Sequence, residues 1–174
     1  LAMLDRQPVI LDLDPQAHVS LALGVRGVPS EACMSGFFRS GLALEGMVRR
    51  LGNGIRLIPG HADLSKIDAL LGSTPGVAGK LRKGLRDSGV FGASPVLIDC
   101  APALGVLSLN ALFAADRVLI PVTSDFLTIQ GLNRLEIALQ VLEQPLQRRI
   151  QRRVVLTRYD ESRPQCREAL ANLR

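Results

Sequence analysis

Aromatic residues, cysteines and long apolar runs are all scarce in this sequence. Of its 174 residues, none is tryptophan, one is tyrosine and five are phenylalanine, so a core has to be built mainly from aliphatic side chains. The three cysteines, at positions 33, 100 and 166, are odd in number and form no CxxC pair, which argues against a disulfide framework or a zinc site. No apolar run approaches the ~20 residues that a membrane-spanning helix requires. These absences predict a globular cytoplasmic protein with reduced thiols.

Positive charge is in excess, with a formal net charge of +5. Two clusters hold much of it, and basic clusters can bind a polyanion such as DNA. The alternative is that each cluster is an ordinary solvated surface. The members are Lys80, Arg82, Lys83 and Arg86 in the first cluster and Arg148, Arg149, Arg152 and Arg153 in the second.

Short apolar runs alternate with helix-like stretches along the chain. The runs are nearly continuous and mostly rich in β-branched residues, as in strands covered on both faces. Ser162 with Gln165 three residues later predicts the start of the last helix. The runs span residues 9–13, 55–58, 96–98, 118–122 and 154–156, and helices are predicted over 64–71, 77–86 and 104–114 and from the stripes Leu132, Leu135, Leu139, Leu142 and Cys166, Ala169, Leu170, Leu173. The alternation predicts one α/β domain over residues 1–174, with a mainly parallel sheet between two layers of helices.

Acidic residues stand where two of the predicted strands end. Ligands of parallel sheets bind beyond the carboxyl ends of the strands. The first run carries Asp12 and is followed by Asp14, and the third run is followed by Asp99. A strand that closes on one Asp is the Walker B pattern, whose carboxylate holds Mg²⁺, usually through water. Solvated strand ends give the same pattern, so these acids alone leave both interpretations open.

The phosphate-binding motif G-x-x-x-x-G-K-[ST] is absent from the sequence. Its nearest match is at Gly79 and Lys80, but position 74 is threonine rather than glycine and position 81 is leucine rather than serine or threonine. The two histidines, at 18 and 61, are isolated and are expected on the surface or in loops. Neither a phosphate loop nor a histidine-centred site is therefore predicted within the chain.

Several motifs, in order and in register, resemble those of one protein family. Residues 12–16 (DLDPQ) resemble the DxDPQ segment of the ParA/Soj family of chromosome- and plasmid-partitioning ATPases. Residues 97–105 (LIDCAPALG) resemble the family's LIDCPPSLG segment, which contains Walker B and switch II. Residues 130–132 (QGL) and 156–160 (LTRYD) resemble its EGL and its LTMYD or PTRYD motifs. The resemblance covers nearly the whole chain and is least clear between residues 29 and 54.

The resemblance implies a role for each matching site residue. Asp14 corresponds to the switch I acid that orients the attacking water, and it is the expected catalytic residue. Asp99 corresponds to the Walker B acid that holds Mg²⁺, and Asp12, beside the metal and the phosphates, is expected to bind both. The other expected nucleotide-contacting residues are Pro102 and Gly105 of switch II and Arg158 and Tyr159 near the adenine end.

The same resemblance implies a P-loop NTPase fold that is incomplete at both ends. The family carries a deviant Walker A motif, KGGVGKTT, about one helix before DxDPQ, and residues 1–4 resemble the last turn of that helix. The implied cofactors are ATP and Mg²⁺, and this fragment alone is expected to be inactive. The implied partners are a second copy bound in an ATP-dependent homodimer, non-specific DNA and a ParB-like stimulating protein. The expected location is the nucleoid, without membrane binding.

Departures from the family pattern keep alternatives open. One is a non-hydrolysing ParA-like module that binds DNA or a partner, and another is a MinD-like or cellulose-synthesis-associated positioning ATPase. A dinucleotide-binding oxidoreductase is disfavoured because no G-x-G-x-x-G follows a strand. The departures are Ala17 and His18 in place of Gly-Asn, Ala101 and Ala103 in place of Pro and Ser, and Gln130 in place of Glu.

Overall fold

The computed structural model describes residues 6–172 apart from 53, 90, 93 and 125, and the side chains at 126–130, 133, 165 and 172 are outside the description. The resemblance of residues 1–4 to a helix end, the side chain of Gln130 and the predicted stripe residue Leu173 therefore lie outside the described part. The chain forms two compact units, Leu1–Ala115 and Asp116–Arg174. Each unit has its own sheet and its own buried residues.

The sheet of the first unit is mainly parallel. Its strands are β1 (Val9–Asp12), β2 (Arg49–Arg50), β3 (Arg56–Ile58) and β4 (Val96–Asp99), in the spatial order β2-β3-β1-β4. β1 pairs in parallel with β3 on one side and with β4 on the other, and β2 is antiparallel to β3. The three parallel strands confirm three predicted apolar runs. β2 was not predicted, because two exposed arginines carry no apolar pattern.

The described part of this unit also contains five α-helices. They are α1 (His18–Ala22), α2 (Met34–Ser40), α3 (Ile67–Leu71), α4 (Lys80–Asp87) and α5 (Val106–Ala114), with 3₁₀ turns at Ser30–Ala32, Leu44–Met47, Ala62–Lys66 and Val77–Gly79. The last three helices confirm predicted helical stretches, whereas α1 and α2 were not predicted. The side chain of Asn110 in α5 joins two of them: its Oδ1 accepts the backbone N–H of Leu81 at the start of α4 (2.9 Å).

The core of the first unit is mainly aliphatic, as predicted, with a small aromatic group. Phe37 and Phe38 of α2 meet edge to face, with ring centroids 5.1 Å apart. The helix is buried along Met34–Phe38, so burial of this face offsets the weak helix propensity of its Ser and Gly. Leu11 of β1 and Ile58 of β3 belong to the same buried cluster, which joins the sheet to the helices.

The second unit contains two parallel strands and two helices. They are β5 (Arg117–Val122), α6 (Phe126–Leu146), β6 (Gln151–Leu156) and α7 (Pro164–Asn172). β5 and β6 pair along their whole length, with Arg117 opposite Gln151 at one end and Val122 opposite Leu156 at the other. The leucine stripe of α6 turns inward, with Leu139 fully buried and Leu132, Leu135 and Leu142 partly buried. The two units together confirm the predicted α/β class with mainly parallel strands.

The start of α7 differs from its prediction. The helix begins at Pro164, and the carbonyl of Arg163 accepts the backbone N–H groups of Cys166 (3.0 Å) and Arg167 (3.3 Å). Ser162 is not its N-cap, because Arg163 is the residue directly before the first helical residue. The backbone N–H and the hydroxyl of Ser162 instead donate to Asp160 (3.0 and 2.6 Å). The prediction of a capping box was wrong because the helix begins two residues after Ser162, and Ser162 is bound locally to the carboxylate of Asp160.

Candidate functional site

Two neighbouring strands bring the predicted acids to one edge of the sheet. β1 and β4 are adjacent and in register, with Asp12 opposite Asp99. The backbone N–H of Leu13 donates to the carbonyl of Asp99 (2.8 Å), so the ladder continues to the ends of both strands. Asp14 follows two residues after Asp12 at the same edge. The structure therefore brings together the three carboxylates that the sequence singled out in the first unit.

Asp99 lies in a concentration of negative charge. Burial raises the pKa of the Asp99 carboxyl above its ordinary value, and the charges of Asp12 and Asp14 raise that pKa further, whereas His18 lowers it. The side chain nevertheless keeps partial solvent exposure. Carboxylates crowded in this way are stabilised in their ionised form by a bound cation, and oxygen donors suit Mg²⁺.

A metal bound here needs further ligands besides these acids. In the described part of the chain, no group of three or more His, Cys, Asp or Glu side chains is arranged to hold a metal ion by itself. Mg²⁺ usually keeps several waters and takes one or two carboxylates together with phosphate oxygens. The donor set at this edge thus fits a Mg²⁺ ion that is shared with a phosphate ligand.

Asp14 lies in a tight turn at the end of β1. Its carboxylate accepts the backbone N–H of Gln16 (2.9 Å), and its carbonyl accepts that of Ala17 (2.9 Å). Ala17 has a φ of 51°, in the left-handed region where glycine is favoured and where the family resemblance expects glycine. The turn leaves Asp14 partly exposed at the sheet edge, where it is accessible to a water molecule or a ligand.

Asp12 lies differently from the other two acids. Its side chain has no exposed surface, whereas Asp14 and Asp99 are partly exposed. Its carboxylate accepts the backbone N–H of Asp14 (3.2 Å), the backbone N–H of Ser20 (2.9 Å) and the hydroxyl of Ser20 (2.6 Å). The expectation that Asp12 directly holds the metal and phosphates is untested, but protein groups already occupy both of its oxygens.

The loop between β4 and α5 is held at its far end. Pro102 is exposed, and the N–H of Gly105 donates to the hydroxyl of Ser108 (3.1 Å), which in turn donates to the carbonyl of Ala103. Asp68 of α3 accepts the backbone N–H of Val106, the first residue of α5. The loop is therefore held at its α5 end and exposed in the middle, and its expected response to a bound nucleotide stays a prediction.

Arg158 and Tyr159 belong to the second unit. They follow β6, both are exposed, and Arg158 has a φ of 53°. Thr157, just before them, is fixed by its backbone N–H and its hydroxyl, which both donate to the carbonyl of Val122 (2.7 and 2.9 Å). Their expected place near the adenine end of a nucleotide stays a prediction.

The two basic clusters differ in what their side chains contact. In the first, Arg82, Lys83 and Arg86 are exposed, whereas the ammonium of Lys80 donates to the carbonyl of Phe38 (2.6 Å). In the second, Arg152 forms ion pairs with Glu136 and Glu143 of α6, while Arg149 and Arg153 are exposed. The first cluster therefore has more exposed basic side chains than the second, and none of its exposed side chains forms an ion pair with the described acids.

Three residues of this site were missed by sequence reasoning: Ser20, Gly60 and Asp68. Ser20 binds Asp12, Gly60 donates its N–H to Ser20 (3.0 Å), and Asp68 binds Val106. Gly60 follows β3 but has no side chain to draw attention, and Ser20 and Asp68 follow no strand end, so only the fold reveals these contacts. None of the helices in the described part of the chain has the length and hydropathy of a membrane-spanning segment.

Comparison with known proteins places this arrangement in a family. The family model described as "AAA domain" matches residues 1–152. The chromosome partitioning protein ParA of Caulobacter vibrioides is 32% identical over 165 residues, which cover 92% of this chain and 61% of that protein. The chromosome-partitioning ATPase Soj of Thermus thermophilus is 34% identical over 164 residues, covering 92% of this chain and 60% of that protein. The chain thus spans about 60% of the length of these curated relatives.

Solved structures show the same fold. A cobyrinic acid a,c-diamide synthase from Mycobacterium smegmatis, with bound ATP analog and magnesium, superposes with a TM-score of 0.88 at 26% identity, covering 98% of this chain and 71% of that one. A plasmid partition protein from Borrelia burgdorferi has a TM-score of 0.85 at 18% identity, covering 99% and 75%.

The fold and the acid-ended strands define an α/β domain of the kind found in ParA- and MinD-like nucleotide hydrolases. The chain belongs to the ParA/Soj family of partitioning ATPases, which confirms the family predicted from its motifs.

Proposed function

We propose that the protein carrying this chain is a Mg²⁺-dependent ATPase that acts in the partitioning of plasmid or chromosomal DNA. The observation that supports it most is the in-register pairing of β1 with β4, which gathers Asp14 and Asp99 at one sheet edge. The names of the relatives and the ligands of the M. smegmatis synthase agree with this chemistry.

In this proposal, each acid has a separate task. Asp99 holds Mg²⁺ through water, and Asp14 orients the water that attacks the terminal phosphate. Mg²⁺, when bound, neutralises charge on the phosphate oxygens, and catalysis of this kind depends on positioning and electrostatics rather than on covalent steps. Pro102 and Gly105 lie in the loop that responds to the nucleotide, and Arg158 and Tyr159 contact its adenine end.

The 174 residues alone are proposed to hydrolyse no ATP. Their sequence contains no G-x-x-x-x-G-K-[ST] motif, so the backbone N–H groups and the lysine that hold phosphates are not supplied by these residues. Magnesium-dependent turnover by this chain alone, above a protein-free blank, would contradict the proposal.

The proposed partners are a second copy of the protein, DNA and a ParB-like stimulating protein. ATP bound between two copies would make dimerisation ATP-dependent, and basic surface would then hold DNA without sequence preference. The proposed location is the cytoplasm, on the nucleoid. Size-exclusion chromatography with light scattering, with and without ATP and Mg²⁺, tests the dimer.

The exposed basic residues of α4 allow a test of DNA binding. Replacing Arg82 and Lys83 by glutamate should weaken DNA retention by the full-length protein and reduce its salt dependence, because fewer counterions are released on binding. Unchanged retention would remove α4 from the DNA-binding surface. Co-sedimentation with lipid vesicles in place of DNA would instead support a MinD-like function.

The hydrolysis proposal is tested with Asp14→Ala in the full-length protein. Turnover should fall by about 100-fold or more, because the attacking water loses its orienting carboxylate, while ATP affinity is retained. Asp87→Ala, which removes an exposed acid at the end of α4, is the matched control and should leave turnover unchanged. Equal turnover in wild-type and Asp14→Ala proteins would remove Asp14 from the mechanism, and ATP binding without any turnover in the wild type would favour the non-hydrolysing module.

A further inference from the structure

We propose that Asp12 is a positioning residue that fixes the turn carrying Asp14 and that it makes no direct contact with metal or nucleotide. This inference rests on the proposed ATPase function and assigns a different role to an acid that the family motif places beside the metal. It is carried by the burial and the hydrogen bonds of Asp12, and by its contacts with Ser20 and Gly60.

The carboxylate of Asp12 is closed to solvent and occupied on both oxygens. Oδ1 accepts the backbone N–H of Asp14 (3.2 Å), and Oδ2 accepts the N–H and the hydroxyl of Ser20 (2.9 and 2.6 Å). Its exposed fraction is 0%. A buried carboxylate is stable only when it is paired or hydrogen-bonded, and these three donors satisfy that need without a cation.

Ser20 extends this contact to a third segment of the chain. Its exposed fraction is 3%, and its hydroxyl donates to Asp12 while accepting the backbone N–H of Gly60 (3.0 Å). One hydroxyl can both donate and accept, so a single serine joins Asp12 to Gly60. The end of β1, helix α1 and the segment after β3 are thereby tied together at one point.

Gly60 leaves no room for a ligand on its side of Asp12. A Cβ atom added at Gly60 would lie 2.9 Å from Cγ and Oδ1 of Asp12 and 2.9 Å from the carbonyl oxygen of Asp14. These distances are below ordinary van der Waals contact, so even a methyl group does not fit. A hydrated metal ion is larger than a methyl group and is excluded from this side of the carboxylate.

The three acids at the sheet edge therefore divide into two kinds. Asp14 and Asp99 are partly exposed and accessible to a ligand, whereas Asp12 is enclosed by protein. The contact between Asp12 and the N–H of Asp14 sets the backbone from which the Asp14 side chain extends. Loss of Asp12 or of Ser20 should therefore have the same consequence, a displaced Asp14.

The first test uses hydrogen–deuterium exchange on this chain, without nucleotide. Ser20→Ala removes the acceptor for Gly60 and one donor to Asp12, so amide exchange at Asp14 and Gly60 should accelerate about fivefold, the equivalent of one hydrogen bond. Ser65→Ala is the matched control, because the Ser65 hydroxyl is exposed and donates only to the nearby carbonyl of Ala62 among the bonds described. Unchanged exchange at Asp14 and Gly60 in Ser20→Ala would overturn the proposal.

The second test uses Mg²⁺ titration of ATP turnover by the full-length protein. Asp12→Asn and Ser20→Ala should both lower turnover at saturating Mg²⁺, with a Mg²⁺ midpoint within about twofold of the wild type, whereas Asp99→Asn should raise that midpoint about tenfold or more. A tenfold shift in Asp12→Asn together with wild-type behaviour of Ser20→Ala would assign Asp12 to the metal and overturn the proposal.

The two tests separate this inference from the proposed function. If Asp12→Asn does not fold, as judged by circular dichroism, the milder Ser20→Ala decides both tests. If the wild-type protein shows no ATP turnover, the proposed function fails, while the exchange measurement still decides whether Asp12 and Ser20 fix the turn at Asp14.

Discussion

The carboxylate of Asp68 accepts the backbone N–H of Val106 and thereby joins helix α3 to the first residue of α5. A Cβ added at Gly105 would lie 2.5–2.6 Å from the oxygens of Asp68, so glycine is needed for this approach. The first N–H groups of a helix have no partner within the helix. An acid near them can accept their hydrogen bonds and also interacts favourably with the positive end of the helix dipole. The end of the loop that follows Asp99 is thus held in place by a side chain of α3.

Asp68→Ala should destabilise the chain by about 0.5–2 kcal/mol, because the start of α5 loses its acceptor. Asp68→Asn keeps an oxygen acceptor but loses the charge, so it should destabilise the chain by less than Asp68→Ala does. Urea denaturation followed by circular dichroism measures both. Asp87→Ala, at an exposed position, is the control, and equal midpoints for Asp68→Ala and Asp87→Ala would show that the contact with Val106 contributes nothing.

Gly60→Ala should destabilise the chain by about 1–3 kcal/mol, because the added methyl group overlaps the carboxylate of Asp12 and the carbonyl of Asp14. Gly46→Ala is a matched control, since a Cβ at Gly46 meets no atom within 4 Å. Thermal unfolding of the two variants gives the comparison. A Gly60→Ala protein as stable as Gly46→Ala would mean that the sheet edge relaxes to admit the methyl group.

Arg152→Gln should lower stability more than Arg153→Gln. Arg152 lies between Glu136 and Glu143, and the hydrogen bonds from Arg152 lower the pKa of Glu136, whereas Arg153 is exposed on the same strand. Removing Arg152 leaves two neighbouring carboxylates without their shared cation. Urea midpoints at low and at 1 M salt provide the measurement, and the difference between the variants should shrink at high salt, because salt screens ion pairs at the surface. Equal midpoints at low salt would refute the role of this ion pair.

Asp63 should titrate at an unusually low pH. Hydrogen bonds from Lys66 and Ser30 lower the pKa of its carboxyl from 3.8 to about 2. Because the folded-state pKa is lower than the unfolded value, the stabilisation is complete above pH 3.8 and is lost as the pH falls towards 2. Carboxyl ¹³C NMR titration measures the midpoint directly.

Lys66→Met should raise the Asp63 midpoint, since it removes the largest cause of the lowered pKa. Lys83→Met is the control: it removes an equal charge from a different helix and should leave the titration midpoint of Asp63 unchanged. An Asp63 midpoint near 4 in the unmodified chain would contradict the contacts with Lys66 and Ser30.

The strands and the main acids could be predicted because their signals are local. The runs before Asp14 and Asp99 are continuous and apolar, and a parallel sheet exposes the carboxyl ends of its strands, so both acids were placed at a ligand-binding edge. The leucine stripe of α6 repeats at helical spacing and was predicted for the same reason. These features depend on residues only a few positions apart.

Other elements carry no such local signal. Helix α1 has five residues and α2 has seven, including a glycine and two serines, and helices this short depend on tertiary packing rather than on propensity. The predicted N-cap at Ser162 was wrong because the helix begins two residues later and the Ser162 hydroxyl donates to Asp160, a local contact that helix propensity does not indicate.

The sequence by itself determined the α/β class, the family and the position of the acids at the strand ends, since each follows from an apolar period or a contiguous motif. Only the tertiary structure decided that Asp12 is enclosed: its partner Ser20 lies eight residues away, and Ser20 reaches Gly60 across a further 40 residues. Burial and hydrogen bonding between residues this far apart depend on how the segments pack. The motif places two aspartates at the end of one strand but contains no information about which of them faces the solvent.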